Sequence, residues 1–452
     1  MAVISRAPKL FVSAPAGSGK TRVLVERAAW LVEKHACRAE KVLLITFAKR
    51  AALELRERLD KRGLTGVEVR TFHAFAYRLL TSLHTTPFRL VRDAERHNIF
   101  RQILTVKLNG EGGLELRNWM RSCNWSPTFL VRECIRTIDT LRSFGISLSD
   151  VWQHERTHGT SNELIATACS LWYGYEYLLR RRGVYDFPLL ISAAVDTFNN
   201  SKRTFPVSYR HILVDESQDA ARDELQLLTQ LAAKVESVTF VGDQLQALYG
   251  WRGARPLDLE GYQHIALKKN YRSDANIISF TNTFIEKVFG QSCYMQAIKS
   301  KKYAPTIVVH QEHAEREVLK QLVKELQTKG YRAADLLVLG RTNAAIERVR
   351  PIIASYPDLR ALTVHGAKGL EAPVVILLNV HGGRFGFPQR QSTSSALQEL
   401  VSYDQAREEQ HIFYVAMTRA RERLILLTAD PRTQFVRVFK SGRDYRRARL
   451  GA

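Results

Sequence analysis

Two series of short apolar runs alternate with amphipathic stretches along this chain, and a long segment in which the alternation stops interrupts the first series. Leu10 to Ser13, Val42 to Phe47 and Val67 to Thr71 are β-branched and aliphatic runs of strand length, each followed by a helical pattern. The spacing predicts a helix over Arg22 to Val32 and, with it, a parallel α/β core. From about Pro87 to Ser208 the strand signal fades into helical, aromatic and arginine-rich sequence such as Leu171-Trp172-Tyr173-Gly174-Tyr175 and Arg180-Arg181-Arg182. Strands return at His211 to Asp215 and Ser237 to Gly242, so the first core resumes after a helical insertion. A second series has strands near Thr306 to Val309, Leu336 to Leu339, Val374 to Leu378 and Leu424 to Leu427, with a helix over Glu315 to Lys329.

The expected organisation is therefore a first α/β core over 1–86 and 209–268, a helical insertion over 87–208, and a second α/β core over 269–452. No internal repeat, sustained heptad or low-complexity tract breaks this pattern, although Ser392 to Ser395 and Arg443 to Arg449 are expected to be mobile.

A chain of 452 residues with 45% hydrophobic content can fill several cores. It has no uninterrupted apolar run of about 18 residues and no signal-peptide pattern at its start, so the expectation is a cytoplasmic protein without a membrane partner. Five cysteines, Cys37, Cys123, Cys134, Cys169 and Cys293, show no C-x-x-C pair or zinc spacing and read as reduced, mostly buried thiols. The net charge of +22 favours polyanions, nucleic acid or an anionic membrane, but basic surfaces also serve solubility. The runs Arg180-Arg181-Arg182 and Lys299-x-Lys301-Lys302 read first as solvated faces.

Specific chemistry enters at Ala14-Pro15-Ala16-Gly17-Ser18-Gly19-Lys20-Thr21, between the first strand and the first helix. Small residues there let successive backbone N–H groups close around phosphate oxygens at a helix N-terminus, while Lys20 supplies charge and Thr21 a hydroxyl for Mg²⁺. A second cluster, Asp215-Glu216-Ser217-Gln218-Asp219, follows the apolar strand Ile212-Leu213-Val214. In a phosphate-loop enzyme such carboxylates hold Mg²⁺ and polarise the attacking water, the roles assigned to Asp215 and Glu216. Helix capping would explain one of these acids, but not three.

Together the two segments resemble the first two ATPase motifs of the UvrD/Rep type of superfamily 1 helicases, and further blocks follow in that family's order. Ile45-Thr46-Phe47-Ala48-Lys49-Arg50-Ala51-Ala52 and Thr71-Phe72-His73-Ala74-Phe75 are similar to its next two blocks. Gly242-Asp243-Gln244-Leu245-Gln246-Ala247-Leu248-Tyr249-Gly250-Trp251-Arg252-Gly253 is the most specific match. Asn270-Tyr271-Arg272-Ser273, Thr363-Val364-His365-Gly366-Ala367-Lys368-Gly369-Leu370-Glu371 and Glu408-Glu409-Gln410 through Thr418-Arg419-Ala420 complete the series.

The resemblance implies two RecA-like phosphate-loop cores that hydrolyse ATP with Mg²⁺ in the cleft between them and move on single-stranded DNA from 3′ to 5′. Its catalytic residues would be Lys20, Asp215, Glu216, Gln246, Arg272 and Arg419, with Thr21 and Asp215 at the metal. Ala16, Gly17, Ser18, Gly19, Lys20, Thr21, Arg22 and Glu371 would hold the nucleotide. Thr46, Phe47, Phe72, His73, Tyr249, Trp251, Arg252 and His365 would meet the DNA, Tyr249 and Trp251 by offering flat faces to unpaired bases.

Three departures qualify this. The family's adenine-reading Gln segment would fall at or before Met1, which leaves two readings, relaxed nucleotide selectivity or a true start further upstream. The stretch from Asn343 to Thr363 is too short for the family's large accessory domain, which predicts a minimal translocase that needs a partner to unwind duplex. Gln244 and Leu245 replace an acidic pair, with little loss expected because Asp243 and Gln246 remain. A DNA-stimulated ATPase switch that controls a separate nuclease is the alternative. A fused nuclease is not expected, because only about thirty residues follow the last motif.

Overall fold

The computed structural model of the chain describes residues 1–34, 37–83, 88–158, 162–200, 209–292, 294–389, 400–401 and 403–449. Pro87 and Ser208, the expected limits of the insertion, lie outside these residues, as do Cys293 and Ser392 to Ser395.

The first core is a parallel six-stranded sheet. Its strands are β1 (Lys9–Ser13), β2 (Val42–Thr46), β3 (Glu68–Thr71), β4 (His211–Val214), β5 (Ser237–Gly242) and β6 (Gln263–Ala266), in the spatial order β3-β2-β4-β5-β1-β6. The central strands β2, β4 and β5 are buried along their whole length, which is why apolar residues dominate them. Helices α1 (Lys20–Lys34) and α2 (Lys49–Lys61) cover one face, and α3 (Phe72–Leu83) enters the cluster on the other.

The second core is also six-stranded and parallel: β7 (Thr306–Val309), β8 (Leu336–Gly340), β9 (Arg360–Thr363), β10 (Ala372–Leu377), β11 (Ala420–Thr428) and β12 (Arg446–Arg449). Its order, β9-β8-β10-β11-β7-β12, repeats that of the first sheet strand for strand. Both sheets reverse direction of winding beside their first strand, and ligands of such sheets bind at the carboxyl ends of strands at that point.

Three strands of these two six-stranded sheets carried no sequence signal. Gln263–Ala266 and Arg360–Thr363 are edge strands, largely exposed or half-buried, so no apolar run marks them. Arg446–Arg449, expected to be mobile, instead pairs with β7 as the opposite edge of the second sheet. An edge strand needs only one bonded neighbour and can keep arginines in water.

The segment between β3 and β4 is helical: α4 (Asp93–Asn109), α5 (Gly113–Ser122), α6 (Pro127–Ser143), α7 (Leu148–His158) and α8 (Glu163–Arg182) pack around one apolar cluster. At its neck the buried Asp186 accepts from Leu189 N at 2.9 Å, Tyr175 Oη at 3.0 Å and Arg142 Nη1 at 3.4 Å, and pairs with Arg96 at 3.5 Å. Helices α9 (Phe187–Asn200) and α10 (Arg222–Ala232) return the chain to the first core, where both enter its apolar cluster. In the second core α11 (Ala275–Phe289), α12 (Glu315–Thr328), α13 (Asn343–Ala354) and α14 (Gln405–Met417) flank the sheet. Helix α13 and strand β9 take up the stretch from Asn343 to Thr363. Among the described residues Cys37, Cys134 and Cys169 are buried free thiols, Cys123 is an exposed one, and no helix is long and apolar enough to cross a membrane.

Asp186→Ala strips the buried Arg96 and the half-buried Arg142 of a shared counter-charge and should cost about 3 kcal/mol, whereas Asp186→Asn keeps the polar contacts and costs less. Thermal melting of the two variants checks the ranking, and equal melting points would refute it.

Candidate nucleotide cleft and strand surface

The turn after β1 is built from backbone. Ala14 N donates to Gly242 O at 2.8 Å, Ser18 N and Oγ both donate to Pro15 O at 3.1 and 2.7 Å, and α1 begins at Lys20. Gly17 and Gly19 have φ of +72° and +94°, and a Cβ on Gly17 would stand 2.6 Å from Arg272 Cβ, so only glycine fits there. Ala16 and Ser18 are buried, Thr21 is half-buried in the first turn of α1, and Arg22 is exposed.

Asp215 and Glu216 follow β4 directly, beside this turn. Lys20 Nζ lies 3.7 Å from Glu216 Oε1. Glu216 adopts φ +50°, a backbone strain of about 1–3 kcal/mol of the kind that clusters at functional sites. Burial and the charge of Glu216 push the Asp215 carboxyl up, to about 7. Burial also raises Glu216, but Lys20 and Lys368 outweigh it and hold Glu216 down near 2. The surroundings thus push the two adjacent carboxyls in opposite directions. Asp215 Oδ1 is buried without a hydrogen-bond partner among the described residues, a donor-free oxygen that suits a hydrated cation.

A polar chain links these acids to the second core. Gln218 donates to Glu216 at 2.6 Å and accepts from Asp243 N at 3.1 Å. The buried Asp243 carboxylate accepts from Gln246 Nε2 at 2.6 Å, Tyr294 Oη at 2.6 Å and Tyr414 Oη at 2.9 Å. Gln246 Oε1 faces Arg419 Nη2 at 3.4 Å. Arg419 is buried, and burial and then the nearby Arg272 lower its pKa to about 9.

The second core also touches the phosphate loop itself: Asn270 Nδ2 donates to Ala16 O at 2.7 Å and Tyr271 N to Gly17 O at 2.9 Å. Arg272 pairs with Glu371 and reaches Thr418 O at 3.3 Å. Lys20, Asp215, Glu216, Gln246, Arg272, Arg419 and Glu371 therefore converge on one cleft.

Asn270, Lys368 and Asp219 also belong to this seam. Lys368 bonds the Asp219 carboxylate across it and donates to Gln246 O at 3.1 Å. Lys368 stands within a quoted block, but its acidic partner is 149 residues away and nothing local announces it.

The residues expected to meet DNA divide into two groups. Trp251 is 48% exposed and stands edge-on to the His365 ring at 6.4 Å. Tyr249 lies 6.1 Å from the same ring, and the Arg252 guanidinium covers both aromatic faces at 5.8 Å. His73 adjoins the exposed Phe187 ring at 5.9 Å, an aromatic that no motif had marked. Thr46 and Phe72, by contrast, are buried, so their side chains do not reach a strand. Phe72 opens α3 facing the core and backs the half-buried Phe47 ring at 4.9 Å.

Fold and cleft define a phosphate-loop nucleotide-binding protein built from two like-wound RecA-type α/β cores. The chain belongs to the UvrD/REP helicase family: residues 1–265 match the UvrD/REP helicase N-terminal domain, and residues 265–356 and 350–430 match the UvrD-like helicase C-terminal domain. It is 28% identical to DNA helicase II of Escherichia coli over 76% of this chain and 48% of that protein. It is 28% identical to DNA helicase IV of the same organism over 97% of this chain and 69% of that protein. Against ATP-dependent DNA helicase PcrA of Staphylococcus aureus the identity is 30%, over 74% of this chain and 46% of the relative. The chain thus spans about half the length of DNA helicase II and PcrA.

Lys368→Met leaves Asp219 buried without its cation and should cost about 3–5 kcal/mol, while adding Asp219→Leu should recover most of that loss. Urea unfolding of single and double variants tests this; strictly additive losses would contradict a buried pair.

Proposed function

We propose that this chain is an ATP-driven motor on single-stranded DNA. The observation that carries the reading is the segment from Asp243 to Trp251. Its first half enters the polar network around Glu216 and Arg419, and its second half presents Tyr249 and the exposed Trp251 at the surface. One rigid stretch of chain thereby touches both fuel and track.

Lys20 and the loop N–H groups would hold the β- and γ-phosphates, and Glu216, kept ionised, would take the proton of the attacking water. Mg²⁺, held by Thr21 and Asp215, would neutralise phosphate charge. Arg272 and Arg419 come from the second core, so they stabilise transferring charge only while the cores are closed. Tyr249, Trp251, Arg252, His365, Phe47 and His73 would grip the strand by stacking and charge. The relatives named DNA helicases support DNA as the track, and 3′-to-5′ motion follows the family precedent.

The chain divides, on this reading, into first core (1–86, 209–268), insertion (87–208) and second core (269–452). With α13 and β9 occupying the accessory-domain position, unwinding of long duplex would require a partner protein.

Hydrolysis measured against added single-stranded DNA, duplex and RNA at several salt concentrations tests the proposal, with single-stranded DNA expected to stimulate most. Lys20→Ala should lower turnover by at least about 10²-fold. Trp251→Ala should weaken the response to DNA by roughly 1–3 kcal/mol and leave hydrolysis without DNA intact. A rate indifferent to DNA, or full activity in Lys20→Ala, would refute it.

A further inference from the structure

Helix α14 lies along the Asp243–Trp251 segment and makes a polar contact with it at each turn. Tyr414 Oη bonds Asp243 at 2.9 Å, the His411 ring faces Ala247 O at 3.2 Å, and Glu408 Oε2 accepts from Trp251 N at 3.0 Å. Just past the helix, Arg419 reaches Gln246. From Glu408 to Met417, where the helix ends two residues before Arg419, the rise is about 14 Å, so the helix carries a carboxylate near the strand end and leads directly into the arginine at the nucleotide end.

Three details single out Glu408. It is 4% exposed, and burial pushes its carboxyl up to about 7, so it is held in place at an energetic cost. It meets the backbone of residue 251 and leaves the indole ring free, so it fixes where the ring stands without covering it. A Cβ on Gly250 would come within 2.9 Å of Glu408 Oε2, so the loop has a glycine where the carboxylate must seat. The neighbouring Glu409 turns the other way, pairing with Arg341 and accepting from Gln389 N inside the second core. Of the adjacent pair, Glu408 is therefore the one that crosses the seam.

We propose that Glu408 is a positioning residue that ties the stacking attitude of Trp251 to the seating of α14, and through α14 to the closure of the cleft. Movement of Arg419 shifts the helix as a body, and the Glu408 bond draws the Trp251 loop with it. The inference rests on the motor reading and assigns its coupling to one hydrogen bond.

The test uses the full chain, with ATP hydrolysis titrated against a poly-dT oligonucleotide. In Glu408→Ala the rate without oligonucleotide stays within about 2-fold of wild type. Its half-activating oligonucleotide concentration rises by about 10-fold, within the range of one lost base stack. Glu408→Gln keeps an acceptor oxygen and restores activation to within about 3-fold of wild type. Gly250→Ala, which displaces the carboxylate, reproduces the Glu408→Ala defect, and thermal melting confirms that each variant is folded. An unchanged activation constant in folded Glu408→Ala and Gly250→Ala overturns the proposal, as does an equal loss of basal and stimulated rates. So does a Glu408→Gln defect as deep as that of alanine. A wild type that ignores the oligonucleotide removes the motor reading itself, whereas a responsive wild type with unaffected variants removes only the role of Glu408.

Discussion

Two arginines are brought close together at the seam between the cores, and one of them is buried. Arg419 has been taken out of water and set near Arg272, and both effects destabilise its charge. Its partners there are mostly neutral acceptors, Val415 O, Thr418 Oγ1 and Gln246 Oε1. Such a site favours an anion between the arginines, and the phosphate loop lies against Arg272. On the proposed reading, a polyphosphate would complete this arrangement of charge between the cores, and its loss would relax it.

The cores share a strand order but not a role. At the end of β1 the chain makes a glycine-rich turn into α1, whereas at the end of β7 it continues through His310 and Gln311 with no comparable loop. On the proposed reading, the scaffold that would cradle phosphate in one core serves, in the other, to present Arg419 to it, while Asn270 and Arg272 lie on the segment leading into the second sheet. On that same reading this asymmetry would make closure directional, with one lobe holding the nucleotide and the other responding to it. The seam is not a loose hinge: Leu245 and Leu248 of the first core pack in the apolar cluster of the second, and Lys368 bonds Asp219 across it.

The short path from cleft to surface follows from this packing. Asp243 is fixed by two tyrosines of the second core, and six to eight residues later Tyr249 and Trp251 emerge beside His365. On the proposed reading, a segment so short and so firmly held would transmit displacement instead of absorbing it.

The sequence by itself determined the interior. Buried parallel strands must be mainly apolar, so β2, β4, β5, β8 and β10 are legible as runs, and a phosphate loop requires small residues that betray it. The edge strands Gln263–Ala266, Arg360–Thr363 and Arg446–Arg449 were not legible, because a half-solvated strand can be polar and its place is set by the neighbour it bonds. Periodicity could not separate Phe47 from Phe72, since only packing decides which ring of an adjacent pair faces the core. The bonds of Lys368 to Asp219 and of Glu408 to Trp251 join residues 149 and 157 positions apart. Which buried charge meets which partner is decided when the two lobes dock, because pairing depends on distance in space and local sequence carries no record of it.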